Sequence, residues 1–298
     1  MPGIEVSTHP LFTRKKLSRR IKERIKRMFI EEASLPASRF KEVQLLAQGT
    51  PCRKSKRGGD ESGEDAIHCC NLDLHIRPAA TDGIVMLQIL YDLEFKFLLP
   101  DRLHFWMPAK CMHDLVSPKN IKFILDAGGN CGMSAVHFAS LYPDATIVSV
   151  EPNPKNFGTL LKNVAAFPNI HAVNKGMWNK DVKLKVVEGN RGIGEFGFQV
   201  FETNADDMEA IQGTSVDALL RQFNLPRFDM IKMDIEGSEK EVFEGDTVQD
   251  WLPEVSIFFA ELHPDMRPGC DDAVRALLRN ERYYEVLQGE YEVYVKKY

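Results

Sequence analysis

The sequence predicts an α/β protein built on a doubly wound, mostly parallel sheet, and three observations carry the prediction. An apolar run, Phe123 to Leu125, leads into Asp126-Ala-Gly-Gly-Asn-Cys-Gly132. A helix-compatible segment, Met133 to Leu141, follows, and then a second run, Thr146 to Val150, ends at Glu151. That is strand, glycine turn, helix and strand within one βαβ unit. A later buried-type strand, Phe228 to Met233, ends in Asp234-Ile-Glu-Gly237. Near the end, Tyr283 to Leu287 and Tyr291 to Val295 flank Gln288-Gly-Glu290 and predict an antiparallel hairpin that finishes the sheet.

A chain of 298 residues can fold as one large α/β domain with extensions, or as two small domains. The formal charge of −5 gives no general case for a nucleic-acid partner, which would require a basic face. Cys52, Cys69, Cys70, Cys111, Cys131 and Cys270 form neither a CxxC pair nor a zinc-type spacing. Adjacent Cys69 and Cys70 resemble a redox pair, but free thiols in a reducing cytoplasm are the plainer reading. No apolar run reaches the roughly 18 residues of a membrane span, and the N-terminus lacks the apolar core of a secretory signal.

In chain order, residues 1–13 read as a flexible leader. From Arg14 to Arg27 there are nine Arg or Lys against one acid, Glu23, while Leu17, Ile21, Ile25, Met28 and Phe29 recur at helical spacing. This predicts a basic amphipathic helix that can lie on an anionic membrane surface or dock on an acidic partner. Equally, its apolar stripe can pack on the main domain with the charges in solvent. A mitochondrial presequence is weakened by Glu5, Glu31 and Glu32. A second short helix is expected over 32–46, then a polar, glycine-rich linker over 49–65. His68 to Arg77 reads as a strand with Leu72, Leu74 and Ile76 on one face. Thr81 or Asp82 should cap a helix running through Val85, Leu87, Ile89 and Leu90. Leu93 to Met112 is apolar and aromatic, and either lines a substrate pocket or covers the sheet.

The glycine turn is the first chemical feature. Glycine permits positive φ and close backbone approach to a ligand, and the following helix offers free N–H groups. Glu151, 25 residues after Asp126, can accept both hydroxyl hydrogens of a ribose. The turn departs from the dinucleotide fingerprint: its glycines are Gly128, Gly129 and Gly132, with Asn130 between, and Asp126 opens it. An acid there opposes a pyrophosphate but suits the positively charged tail of S-adenosylmethionine.

After Glu151, helix 156–165, strand 170–174 and the segment Lys175 to Trp178 continue the alternation. Asp181 to Val187 and Phe196 to Phe201 read as a hairpin around a glycine-rich loop, 204–213 as a polar loop, and Ser215 to Phe223 as a helix. Asp234 and Glu236 then stand at a strand end, where open α/β sheets bind ligands. Ser238 or Gly237 opens a short helix, and Glu239 is expected to cap it or to pair with Lys232 or Lys240. The next strand, Val255 to Ala260, ends in Glu261-Leu-His263, and period two puts Glu261 and His263 on one face. His263 suits a general base, since a free histidine pKa of about 6.5 leaves it largely neutral in the cell. Met266 to Asp272 is a loop over the crevice, followed by a helix to Arg279.

Five pieces together resemble the FkbM-type S-adenosylmethionine-dependent methyltransferases. They are Asp126 to Gly132, Val150-Glu-Pro-Asn153, Ile231-Lys-Met-Asp-Ile-Glu-Gly-Ser-Glu239, Glu261-Leu-His263, and Arg77-Pro-Ala-Ala-Thr-Asp82. The resemblance covers about 72–298, leaving 1–71 as an N-terminal helical extension. It implies a class I methyltransferase fold of seven strands with the last inserted antiparallel. It also implies methyl transfer to a hydroxyl of a small molecule or saccharide, in the manner of secondary metabolism, with N-methylation also open. Cofactor contacts would come from Asp126, Gly128, Asn130, Gly132, Glu151, Asn153 and Met177, the last or Trp178 beside the adenine. Asp234, Glu236 and His263 would be catalytic, while Arg77, Asp82 and Glu261 would help close the site. For Arg77 and Asp82 a local ion pair is the competing reading.

Two mechanisms fit. Either His263 or Asp234 removes the hydroxyl proton, which is favoured, or Asp234, Glu236 and His263 ligate magnesium or manganese. Two other functions compete: a non-catalytic S-adenosylmethionine-binding sensor or scaffold, and an NAD-dependent oxidoreductase using the same Glu151. The sequence leaves the oligomeric state open.

Overall fold

A computed structural model describes residues 53–54, 65–69, 72–77, 82–86, 89, 117, 119–188, 198–204, 207–279, 282–288 and 290–297. The basic helix at 14–29, the second helix at 32–46, most of the linker, the 93–112 segment and most of the loop after Glu188 lie outside the described residues. No helix among the described residues is long and apolar enough to cross a membrane.

The centre is a seven-stranded sheet. Its strands are β4 (Phe123–Ala127), β5 (Thr146–Val150), β6 (Ile170–Val173), β11 (Met230–Met233), β12 (Ile257–Glu261), β13 (Tyr283–Gln288) and β14 (Tyr291–Lys296), in the order β13-β14-β12-β11-β4-β5-β6. β14 inserts antiparallel between β12 and β13, whereas β4, β5, β6, β11 and β12 pair in parallel. This is the class I methyltransferase topology, and the order reverses between β4 and β11. Loops leaving the carboxyl ends of those two strands therefore diverge and open a crevice.

Burial on both faces explains the near-continuous apolar strands. Ile124, Ile147, Met230 and Phe259 face one core, with Val136 and Phe138 of α2 (Met133–Leu141) and Leu160 and Val164 of α3 (Pro154–Val164). Their neighbours Leu125, Val148, Ile231 and Phe258 face the other core. There they meet α4 (Val216–Gln222), α5 (Glu239–Phe243), α6 (Val248–Trp251) and α7 (Cys270–Leu278). A one-residue slip of any central strand would exchange these sets.

Two smaller sheets flank the centre. β1 (Arg53–Lys54), β2 (Asp65–Cys69) and β3 (Leu72–Ile76) form one antiparallel sheet. His68 and Cys69 therefore belong to a strand of their own, and the expected single strand starts at Leu72. Asn163 of α3 fastens β3 to the domain: its Oδ1 accepts from His75 N at 2.6 Å, and its Nδ2 donates to His75 O and Cys131 O. α1 (Asp82–Met86) follows. The second small sheet has the order β7-β10-β8-β9, from β7 (Gly176–Met177), β8 (Lys183–Glu188), β9 (Phe198–Glu202) and β10 (Ile211–Thr214). The expected hairpin is present as β8 and β9. The expected polar loop at 204–213 instead ends in β10, because backbone pairing with β7 and β8 holds a stretch with little apolar alternation.

Candidate functional site

The glycine turn runs between the ends of β4 and β5. Gly128 N and Gly129 N both donate to Val150 O at 2.9 Å. Gly128, Asn130 and Gly132 take φ of 81°, 48° and 88°, a left-handed region that costs side-chain residues energy. A Cβ on Gly128 would fall 1.8 Å from Asp234 O, so the turn presses directly on the end of β11.

Asp126 is fully buried. Its carboxylate accepts from Ser134 Oγ at 2.8 Å and Ser149 Oγ at 2.7 Å. It is thus tied to the helix after the turn and to the neighbouring strand. Asn130 is placed differently: its side-chain Oδ1 is buried with no partner, while its backbone N donates to Glu151 Oε2 at 2.8 Å. Glu151 Oε1 accepts from Asn153 N at 2.9 Å and from Asn156 Nδ2 at 3.4 Å. Burial raises the Glu151 carboxyl from 4.5 to about 7, against the N–H bonds from Asn153 and Asn130 that favour its charge.

Asn153 caps α3, its Oδ1 accepting from Lys155 N and Asn156 N. Arg77 and Asp82 form the competing ion pair: Arg77 Nε and Nη2 donate to the buried Asp82 carboxylate at 2.9 and 2.6 Å. Arg77 Nη2 also donates to Asn156 Oδ1 at 2.9 Å, which links this pair to Glu151 through one amide. Met177 sits in the second core and Trp178 in a small cluster with Leu184 and Val200, with its Nε1 donating to Glu202. Both are buried, at 2% and 3% exposed.

The second constellation gathers around His263, 4% exposed. Its Nε2 faces Glu236 Oε2 at 3.4 Å, Glu261 Oε1 at 3.6 Å and Asp234 Oδ1 at 3.8 Å. Its Nδ1 lies 3.4 Å from Glu239 Oε1, which also accepts from Ile235 N. Asp234, Glu236, Glu261 and His263 are thus brought together as expected. Glu239 does more than cap a helix: it is fully buried and backs the imidazole. Lys232, expected only as a pairing partner for Glu239, is buried too. Its Nζ donates to Gly128 O at 2.6 Å and lies 3.5 Å from Asp234 and 3.8 Å from Asp126. A lysine inside an otherwise apolar strand is the sequence signal for both, since a buried cation needs acids near it.

These charges act against one expectation. Burial opposes an imidazolium, yet Glu236, Glu239 and Glu261 outweigh it and raise the His263 pKa well above 6.5. The surrounding carboxylates thus favour the protonated imidazole over the neutral base expected from the free residue. Asp234 is held above the ordinary carboxylate range, first by burial and then by the Glu261 charge, with Lys232 and His263 opposing.

β9 and the segment after β12 fasten the insert beside the acids. Gln199 Nε2 donates to Glu236 O at 3.3 Å and Met266 O at 3.4 Å. The Arg267 guanidinium pairs with Glu241 and lies 5.7 Å from the Trp178 ring and 5.1 Å from the Phe201 ring.

Residues 126–285, more than half of the chain, match the Methyltransferase FkbM domain. Among curated proteins, Methyltransferase 1 of Beauveria bassiana (strain ARSEF 2860) is 28% identical over 167 residues, covering 48% of this chain and 65% of that protein. Methyltransferase sdnD of Sordaria araneosa is 25% identical over 170 residues, covering 47% and 66%. The chain therefore spans slightly less than two thirds of the length of either relative. Among solved structures, the FkbM methyltransferase of Methylobacillus flagellatus KT aligns with a TM-score of 0.41 at 14% identity, over 72% of this chain and 60% of that one.

Proposed function

The chain belongs to the FkbM methyltransferase family, and from that premise we propose that it transfers the methyl group of S-adenosylmethionine to a hydroxyl of a small molecule or saccharide. The observation that carries the reading is the contact of Gly128 with Asp234, which joins a nucleoside-type cradle to an acid and histidine cluster within one crevice.

The residues present fit the donor. The buried, unpartnered Asn130 Oδ1 offers an acceptor beside the turn. Glu151 presents a carboxylate fixed by two backbone N–H groups and able to accept ribose hydroxyls as well. When bound, S-adenosylmethionine supplies an electrophilic sulfonium methyl. The protein aligns the acceptor oxygen with it, which is the larger part of catalysis for such a displacement. As the O–C bond forms and the S–C bond breaks, the hydroxyl proton passes to a carboxylate of the cluster, Asp234 or Glu261. Raised to about 8 by burial and the Glu261 charge, Asp234 accepts that proton only in its ionised form, whose share grows as pH rises. His263 and Lys232 stand among these acids.

The test is to incubate the purified chain with methyl-labelled S-adenosylmethionine and a panel of hydroxyl acceptors that includes saccharides, and to titrate it with S-adenosylhomocysteine and with NAD. Label in an ether product supports the reading. Donor binding without transfer to any acceptor would favour a sensor, and tighter binding of NAD would favour an oxidoreductase.

A further inference from the structure

We propose that Asp234, Glu236 and His263 hold a divalent cation of the magnesium or manganese kind, and that this ion engages the acceptor hydroxyl. The inference rests on the methyl-transfer reading for the presence of an acceptor, but not for the ion site itself.

Geometry carries it. Each of the three residues offers one ligand atom, and these atoms all lie within 4.8 Å of one another. The two nitrogens of His263 have different surroundings. Nδ1 faces Glu239, whose carboxylate is fully buried and fixed by Ile235 N at 3.0 Å. A carboxylate behind one ring nitrogen is the arrangement that aims the other at a metal. On the Nε2 side, the oxygens of Glu236, Glu261 and Asp234 stand at 3.4, 3.6 and 3.8 Å. Charge-assisted hydrogen bonds close to about 2.7–2.9 Å. Three carboxylate oxygens thus converge on one ring nitrogen, at separations longer than such bonds usually reach.

Charge points the same way. Asp234, Glu236, Glu239 and Glu261 gather around one imidazole, and the Lys232 ammonium beside Asp234 is shared with Gly128 O. Like charges so gathered are relieved by a proton or by a further cation, and an ion bound here takes the place of the His263 Nε2 proton, which leaves to solvent. Two carboxylates and one imidazole form an oxygen-rich, mostly hard donor set, which suits magnesium or manganese better than a thiolate-seeking metal. An ion here polarises the acceptor oxygen. Glu261 then receives the hydroxyl proton, the oxygen takes the methyl, the sulfur leaves as a neutral thioether, and the ion is unchanged.

Manganese(II) is the probe. The full chain, stripped with a chelator and dialysed, is titrated with manganese and followed by electron paramagnetic resonance. One bound ion is expected, displaced by excess magnesium. Asp234→Asn with Glu236→Gln should weaken binding by at least about 10-fold, as expected when charged ligands are removed. Glu239→Gln, which keeps a hydrogen-bonding group but loses the charge behind the ring, should weaken it by about 10-fold to 100-fold. Folding of each variant is checked by circular dichroism; if the double variant does not fold, Glu239→Gln decides. Wild-type protein that binds no manganese, or folded variants that bind it equally well, would overturn the proposal. Calorimetry with S-adenosylhomocysteine on the same samples separates the two readings. Donor-product binding without manganese binding sinks the ion alone, and manganese binding without donor-product binding sinks the methyl-transfer reading alone.

Discussion

The backbone of Gly128 packs against the carbonyl of Asp234 so closely that a Cβ on residue 128 would lie 1.8 Å from that oxygen. At φ 81° the position also disfavours any L side chain. Gly128→Ala should therefore cost at least about 1–2 kcal/mol from the left-handed backbone alone, and more from displacing the end of β11. A Cβ added to Gly158, inside α3, would meet nothing within 4 Å, so Gly158→Ala should instead stabilise by about 0.5–1 kcal/mol. Urea unfolding of the two variants measures both. Equal stabilities would mean that the turn and the strand end are not in contact.

Glu151 couples donor binding to pH. Its carboxyl titrates near 7 in the fold against 4.5 ordinarily, so between those values the native state binds more protons than the unfolded chain. Stability should then fall as pH rises from 4.5 to about 7. Glu151→Gln, uncharged throughout, should remove that part of the slope. Affinity for S-adenosylhomocysteine should move the other way, rising as Glu151 ionises and becomes the better acceptor for ribose hydroxyls. Glu151→Ala should weaken it by about 10-fold to 100-fold. Calorimetry across this range that finds a flat affinity would remove Glu151 from the ribose.

The central fold was legible because doubly buried parallel strands leave continuous apolar runs, and because each run ends in an acid or a glycine turn. The roles of individual acids were not. Asp126 and Asp234 look alike in sequence, each closing an apolar strand, yet hydroxyls of Ser134 and Ser149 seal the first and leave the second in the crevice. The position of Glu239 depends on Glu236 and Gly237 both taking positive φ, which redirects the chain after β11. The upward pull on the His263 pKa comes from three carboxylates drawn from β12, α5 and the turn after β11. No local pattern encodes that sum.

Arg77 and Asp82 form a pair whose acid is fully buried. Arg77→Leu should cost about 3–5 kcal/mol, because it leaves a buried carboxylate without its cation. Arg77→Leu combined with Asp82→Leu should cost less than the two single changes added, with a coupling of about 1–3 kcal/mol. Since Arg77 also holds Asn156, which donates to Glu151, the single variant should bind S-adenosylhomocysteine more weakly at equal folded fraction. Additive stabilities from a double-mutant cycle would refute the pair.

Lys232 has a sharper consequence, because its ammonium reaches both the glycine turn and the acid cluster, through Gly128 O and Asp126 on one side and Asp234 on the other. Asp126 keeps two hydroxyl donors when the lysine is removed, whereas Asp234 is left facing Glu236 and Glu261 with His263 to offset them. Lys232→Met should therefore destabilise by about 3–5 kcal/mol, and Asp234→Asn added to it should recover part of the loss. Asp126→Asn added to it should recover less. Thermal unfolding of the three proteins settles the order. If Asp126→Asn proved the better rescue, the lysine would belong to Asp126 and the turn, and its link to the cluster would be incidental.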